Sequence, residues 1–99
     1  MKLIPLRDEA DFKTRDVIEA VISKPAPGQG INASEMRRRV RLIDSLERAT
    51  GGQMLLEDAD HALLARLMND FPFGIAHRNL LSIIDDVVEA KEPAEISHD

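Results

Sequence analysis

The sequence predicts a mainly α-helical fold, a small four-helix domain with a minor two-stranded β element near residues 2–6 and 53–57. Three observations indicate this fold class. Apolar residues recur at helical spacing in four segments, capping residues or prolines and glycines bound these segments, and two short apolar stretches remain outside them. At 99 residues the chain can bury one hydrophobic core but not two. We therefore expect one domain over residues 1–91, followed by a flexible acidic C-terminal tail over residues 92–99.

The first helix is predicted over residues 14–23, where four apolar residues recur at helical spacing just after Phe12. These four residues are Val17, Ile18, Val21 and Ile22. The next segment, residues 24–30, contains two prolines and two glycines. No regular element tolerates this composition, so the segment is predicted to be a loop.

The second helix, within residues 32–52, has the clearest boundary signals of the chain. Asn32 or Ser34 can cap its first turn, where the helix dipole also favours the negative charge of Glu35. At the other end, the pair Gly51–Gly52 is expected to end the helix in the left-handed conformation, which costs glycine no steric strain.

Two short apolar stretches are predicted to form the β element. Residues 53–57 are too few for a helix before the acidic cap expected at Asp58, and they can form one short strand. Residues 2–6 can pair with that strand, although Pro5 confines this second strand to an edge of the sheet.

The third and fourth helices are predicted over residues 58–70 and 77–90, separated by a break at Pro72 and Gly74. Each helix has one apolar face. The face of the third helix consists of Leu63, Leu64, Leu67, Met68 and Phe71. The face of the fourth helix consists of Leu80, Leu81, Ile83, Ile84, Val87 and Val88.

Composition excludes several classes of protein. The chain has no cysteine, which excludes a disulfide framework and a thiolate zinc site. It has three phenylalanines and no tryptophan or tyrosine, so the core must consist of aliphatic residues and methionine. The apolar stretch at the N-terminus is far shorter than a signal-peptide core or a membrane span. We expect a soluble cytoplasmic protein that does not contact a membrane.

Charge is distributed unevenly along the chain, whose formal net charge is -5. Residues 35–48 carry a net charge of +2, although the chain as a whole is acidic. Residues 57–70 and 78–99 carry -3 and -4, respectively. Two interpretations follow. The basic helix pairs with the acidic helices of its own fold or of a second subunit, or it contacts an anionic partner such as nucleic acid.

A helical projection of the second helix places three arginines on one exposed stripe. Arg37, Arg41 and Arg48 align there together with Asp44. Asp44 lies three residues from Arg41 and four from Arg48, so it can pair with either arginine along the helix. The three arginines are the candidate contacts for an anionic surface.

Arg39 projects away from this stripe and into an apolar arc that contains Met36, Ile43 and Leu46. A guanidinium group in such a place needs a carboxylate, and Glu35 one turn earlier is the nearest candidate. Either the stem of Arg39 packs while its charged end lies at the rim of the core, or Arg39 contacts a protein partner.

The break between the third and fourth helices holds two of the three aromatic residues. Phe71 continues the apolar face of the third helix and is expected in the core. Phe73 either closes the end of the bundle or stays partly exposed as an anchor for a partner. Arg78 begins the fourth helix and is another candidate contact, but the acidic residues that follow it would repel a DNA backbone.

No pattern typical of an enzyme is present. Asp58 and His61 have side chains that can bind a metal ion. An acidic residue is, however, common at the start of a helix, because it caps the helix and is favoured by the helix dipole. His77 is expected to cap the fourth helix. No glycine-rich loop joins a strand to a helix, and no serine or cysteine has the surroundings of a nucleophile. We therefore expect no catalytic activity, no cofactor and no metal.

The order of these segments carries a resemblance. A short helix, a Pro/Gly turn, EMRRRVRLIDSLE, LLEDADHALLARL, a Phe-Pro/Phe-Gly break and an acidic last helix resemble small uncharacterised proteins encoded in bacteriophage and prophage gene clusters. The resemblance covers most of residues 12–90. It implies an accessory or assembly role in the phage programme or an interaction with a host protein, with the protein in the bacterial cytoplasm or associated with the virion.

The leading hypothesis is a non-enzymatic helical protein–protein interaction or assembly module that forms homo-oligomers. A 99-residue chain with broad apolar faces gains core by burying them between subunits. The alternative is a small nucleic-acid-binding regulator that uses the arginine stripe. The candidate partner-binding residues are Arg37, Arg39, Arg41, Arg48, Phe73 and Arg78.

Overall fold

The computed structural model describes residues 1–8, 11–25 and 28–92. Within these ranges it contains four α-helices and one two-stranded antiparallel sheet, which confirms the predicted fold class. In chain order the elements are β1 (Lys2–Pro5), α1 (Thr14–Ser23), α2 (Ala33–Arg48), β2 (Gln53–Leu56), α3 (Asp58–Asp70) and α4 (Arg78–Val88). The acidic tail predicted from residue 92 onward lies outside the described residues, apart from Glu92 itself.

The two strands pair over their full length, with Lys2 opposite Leu56. Ile4 and Met54 lie opposite each other on the inner side of the sheet, where both are buried. Pro5 is the last residue of β1, a position typical of proline in a strand. The predicted β element is therefore confirmed, and the sheet covers one side of the helices.

The core lies between the inner side of the sheet and the four helices. Helix α3 packs against α1, α2, α4 and β2, so it is the central element of the fold. The buried core residues are aliphatic or methionine, as the composition predicts. They are Ile4, Ile18, Val21, Ile22, Leu42, Leu46, Met54, Leu56, Leu63, Leu64, Leu67, Met68, Ile83 and Val87.

The helix starts agree with the predicted caps in two of three cases. Asn32 Oδ1 accepts a hydrogen bond from the Glu35 backbone N–H at 2.8 Å, and His77 Nδ1 accepts one from the Asn79 N–H at 3.1 Å. The predicted cap at Asp58 is wrong by one residue. Asp58 is the first helical residue of α3, and its charge is favoured there by the helix dipole rather than by a capping bond.

The two glycines after α2 have a different role from the predicted one. Helix α2 already ends at Arg48, and Gly51 and Gly52 have φ angles of +69° and +74°. They occupy the two central positions of a tight turn, because Thr50 and Gln53 form a bridge across them. The pair therefore turns the chain into β2 instead of ending the helix.

Exposure in α2 and α4 also departs from the predicted faces. Met36 was assigned to the core side of α2, but 52% of it is exposed, and Leu42 is fully buried instead. In α4, 57% of Leu81 is exposed, because the side that meets α3 and β1 runs through Leu80, Ile83 and Val87. Both helices therefore have more apolar surface than this fold covers. In the described ranges no helix has the length and apolar character needed to cross a bilayer.

Candidate protein-docking surfaces

The exposed arginines of α2 follow the predicted stripe. Arg37 and Arg48 are exposed and form no ion pair within the described residues. Arg41 is also exposed, and its Nη2 lies 3.3 Å from Asp60 Oδ2 in α3. Within the described residues Asp44 pairs with neither Arg41 nor Arg48, and the partner of Arg41 is Asp60. This pair agrees with the interpretation in which the basic helix meets an acidic helix of its own fold.

Arg39 lies in the interior, with 8% of the residue exposed. Its Nε and Nη2 donate to Glu35 Oε2 at 3.2 and 2.9 Å, which confirms the predicted pairing. Its Nη1 donates to the carbonyl oxygen of Ile22 at 3.1 Å, in the last turn of α1. Because its guanidinium group is already bound inside the protein, Arg39 is a poor candidate for contact with a partner.

Glu35 of α2 accepts hydrogen bonds from two arginines, one on its own helix and one on α3. Its Oε2 accepts from Arg39, and its Oε1 accepts from Arg66 Nη2 of α3 at 3.2 Å. The hydrogen bonds from Arg39, and more weakly those from Arg66, hold the pKa of Glu35 below its usual value, although partial burial acts in the opposite direction. A cleft of about 310 Å³ adjoins Glu35, Arg39 and Arg66. The guanidinium groups of both arginines already bind Glu35, so they do not point to a ligand in this cleft.

Arg15 is a structural contact that sequence reasoning missed. From α1, its Nη1 and Nη2 donate to the carbonyl oxygens of Leu46 and Ala49 at 2.6 and 3.3 Å. Carbonyl groups at the end of a helix lack partners within the helix, and a cation is favoured there. Sequence periodicity places Arg15 outside the apolar face of α1, but it does not show which helix end lies beside this residue.

The turn after α3 places Phe71 and Phe73 in contact, with ring centroids 4.9 Å apart and ring planes at 60°. Both are half-buried and pack against the core. Phe73 therefore closes the end of the bundle, one of the two predicted alternatives, and it retains an exposed side. Phe71 packs against the core, but it is half-buried rather than inside the core as predicted, because α3 ends at Asp70, one residue earlier.

An apolar groove of about 460 Å³ lies between this turn and α4. Ile75 and Leu81 have the largest exposed fractions among the large hydrophobic residues of the described ranges, at 56% and 57%. We call the group Phe73, Ile75, Leu81 and Ile84 the α4 patch. Arg78, one of the predicted contacts, is exposed at the edge of this groove.

The apolar surface continues from the α4 patch toward α1. A second groove, of about 330 Å³, shares Phe73 and Ile75 with the first and is also lined by Phe12 and Val17. Asp11 and Asp16 lie at its rim. The continuous apolar surface is thus bordered by charged residues, a feature typical of protein-binding sites.

A second apolar surface lies on α2. Met36 and Val40 are 52% and 46% exposed, and Ile43 is half-buried beside them. Their spacing of four and then three residues places them in one line along the helix. We call Met36, Val40 and Ile43 the α2 row. The arginine stripe runs alongside it.

The two histidines of the described ranges, His61 and His77, form contacts within the protein. His61 Nε2 lies 2.7 Å from the carbonyl oxygen of Val87, linking α3 to α4. The His77 ring meets Phe12 edge-on at 5.0 Å, and its Nε2 lies 3.5 Å from Asp11 Oδ2. Among the described residues, no group of three or more histidine, aspartate and glutamate side chains is placed to hold a metal ion.

No protein-family model, curated protein or solved structure matches this chain. The resemblance to phage-encoded proteins therefore stays a prediction.

Proposed function

We propose that this protein is a non-enzymatic assembly module that binds further copies of itself through the α4 patch. The observation that supports this proposal is the exposure of Ile75 and Leu81 beside the groove of Phe73. An assembly role of this kind is also what the resemblance to phage-encoded proteins implies.

The energetic argument rests on apolar area. More than half of Ile75 and of Leu81 is exposed, and both residues line the same groove. Covering the exposed half of one such residue contributes roughly 1 kcal/mol, and neighbouring half-buried residues add to this. A contact that covers the whole patch can therefore offset a substantial part of the entropy lost on association.

A sedimentation experiment tests the proposal. We expect the wild-type weight-average mass to rise with concentration between tens and hundreds of micromolar, and Leu81→Glu and Ile75→Glu to remain monomeric. Leu55→Glu is the matched control, because Leu55 is 43% exposed on the outer side of the sheet, away from the α4 patch. A wild-type protein that stays monomeric throughout this range contradicts the proposal.

A nucleic-acid-binding regulator is the second candidate function. The observation that favours it is the exposure of Arg37 and Arg48 without an ion pair in the described part of the chain. Against it, the net charge is -5, and the carboxylate of Asp60 already lies beside Arg41. A salt titration that separates this candidate from assembly is described in the Discussion.

A further inference from the structure

We infer that the surface bound by α4 is α2 of a second copy, with the two helices antiparallel. This inference rests on the proposed function and names the partner surface. It is supported by a match in the spacing of apolar residues and in the charges of α2 and α4. Within one copy these two helices make no extended contact with each other, because α3 lies between them.

The apolar parts of the two helices match in spacing. On α4, the exposed residue Leu81 and the half-buried residues Ile84 and Val88 form a line that we call the α4 row. From Met36 to Ile43, the α2 row has intervals of four and then three residues. From Val88 back to Leu81, the α4 row has the same intervals in the same order. Antiparallel packing therefore aligns the pairs Met36 with Val88, Val40 with Ile84, and Ile43 with Leu81.

The charged residues beside the rows match in the same register. On α2, Arg37 directly follows the first residue of its row, and Arg41 directly follows the second. On α4, Asp85 and Glu89 directly follow residues of the α4 row in the same way. When two helices pack antiparallel, the residues that directly follow the row positions lie on the same side of the contact in both helices. Arg37 therefore faces Glu89, and Arg41 faces Asp85.

A third pair extends the match to the other end of the contact. Glu47 lies one turn beyond the α2 row, and Arg78 lies one turn before the α4 row. Antiparallel packing brings these opposite charges together, whereas parallel packing places Arg37 and Arg41 on the side of the contact opposite to Asp85 and Glu89. The charges therefore favour one direction of packing over the other.

The α2 row also suits the shape of the α4 surface. The groove beside Phe73 and Leu81 is open and apolar, and Met36 and Val40 project from α2 with about half of their surface exposed. Asp85 and Glu89 are exposed and have no ion pair in the described ranges, so they are free to bind an arginine of another copy. The side chain of Arg41 is largely exposed, so it can exchange its ion pair with Asp60 for one with Asp85 of another copy.

A contact between two different surfaces has a consequence for assembly. After pairing, one copy keeps an unused α4 row and the other keeps an unused α2 row, so further copies add head to tail. The product is an open chain or a closed ring, unlike the two-fold dimer that a contact of α4 with α4 would form.

Mixing two blocked variants tests this inference. In sedimentation velocity, Val40→Glu alone and Leu81→Glu alone are expected to be monomeric, because each lacks one of the two surfaces. Mixed in equal amounts, they are expected to form a 1:1 dimer that grows no further, because one intact α2 row meets one intact α4 row. Circular dichroism checks that both variants retain the helical content of the wild type.

The outcomes separate this inference from the proposed function. If Leu81→Glu is monomeric while Val40→Glu assembles like the wild type, the α4 patch is an interface but α2 is not its partner. A mixture that forms no dimer, or a wild-type protein that is monomeric, also overturns the inference, and the second result removes the proposed function with it.

A charge exchange tests the register. Arg37→Glu is expected to weaken association about 3- to 10-fold, and adding Glu89→Arg in the same chain is expected to restore it. Arg38→Glu is the matched control, because it makes the same change at the adjacent exposed position on another side of α2. Equal weakening by Arg37→Glu and Arg38→Glu would contradict the antiparallel register.

Discussion

Arg15 of α1 and Arg39 of α2 each bind carbonyl groups at the C-terminal end of the helix that carries the other. Arg15 donates to Leu46 and Ala49 at the end of α2, and Arg39 donates to Ile22 at the end of α1. The C-terminal end of a helix carries partial negative charge and unpaired carbonyl groups, so each arginine stabilises a helix other than its own. The relationship joins α1 and α2 at both ends of their contact.

Arg39→Ala is expected to lower the free energy of unfolding by about 1–3 kcal/mol, because it leaves the buried carbonyl of Ile22 without this donor. Arg37→Ala, a change at an exposed position of the same helix, is expected to change it by less than about 0.5 kcal/mol. Urea unfolding followed by circular dichroism suits a chain without tryptophan or tyrosine. Equal small effects would show that the contacts of Arg39 contribute little.

Arg15→Ala is expected to lower the free energy of unfolding by about 1–2 kcal/mol, because the carbonyls at the end of α2 lose a charged donor. Arg15→Lys is the informative second variant. It keeps the charge but loses the planar group that reaches Leu46 and Ala49 together, so it should recover part of the stability. Full recovery would mean that charge alone explains the effect.

The stability that Glu35 contributes should depend on pH. Hydrogen bonds from Arg39, and then from Arg66, hold the pKa of Glu35 in the folded protein below its ordinary value of 4.5. A carboxylate with a lowered pKa stabilises the folded state above its unfolded pKa, and this stabilisation is lost as the pH falls through the folded value. The difference in unfolding free energy between wild type and Glu35→Gln should therefore be larger at pH 7 than in strong acid.

Urea unfolding at several pH values measures this difference. The control is Asp44→Asn, because Asp44 is an exposed carboxylate of the same helix without an ion pair in the described residues. A constant difference between wild type and Glu35→Gln across the acid range would show that the charge of Glu35 does not stabilise the fold.

Gly51→Ala is expected to destabilise the protein by about 1–2 kcal/mol, because φ is +69° at this position and an L side chain is strained there. Gly30→Ala is the matched control, since Gly30 has open space around it and no positive φ. Thermal unfolding of the two variants compares them. A loss at Gly51 no greater than that at Gly30 would indicate that the turn adopts another conformation without penalty.

A salt titration distinguishes assembly from nucleic-acid binding. If Arg37, Arg41 and Arg48 bind phosphates, log Kd should change with log salt concentration with a slope of magnitude about 2–3 per subunit, and the triple alanine variant should lose binding. We expect little binding to DNA or RNA at about 0.15 M salt, because the acidic helices repel phosphate. Submicromolar, salt-sensitive binding at that ionic strength would favour the regulator instead.

The sequence by itself determined the number and type of the elements. Helical spacing and local breaking residues depend only on neighbours in the chain, and they predicted α1 and α3 at their observed bounds. The pairing of Glu35 with Arg39 was also predictable, because a separation of four residues on one helix fixes their proximity. The cap formed by His77 was predictable for the same reason, because its hydrogen-bond partner lies two residues away in the chain.

Only the tertiary structure decided which apolar residues the core covers. Met36 and Leu81 belong to apolar faces by sequence, yet each is about half exposed, because coverage depends on where the neighbouring helices lie. The partners of Arg15 and Arg41 were likewise decided by packing, since their acceptors are on other helices. The α2 row and the α4 patch follow from the same cause: the width of an apolar face is local, but the area that a neighbour covers is not.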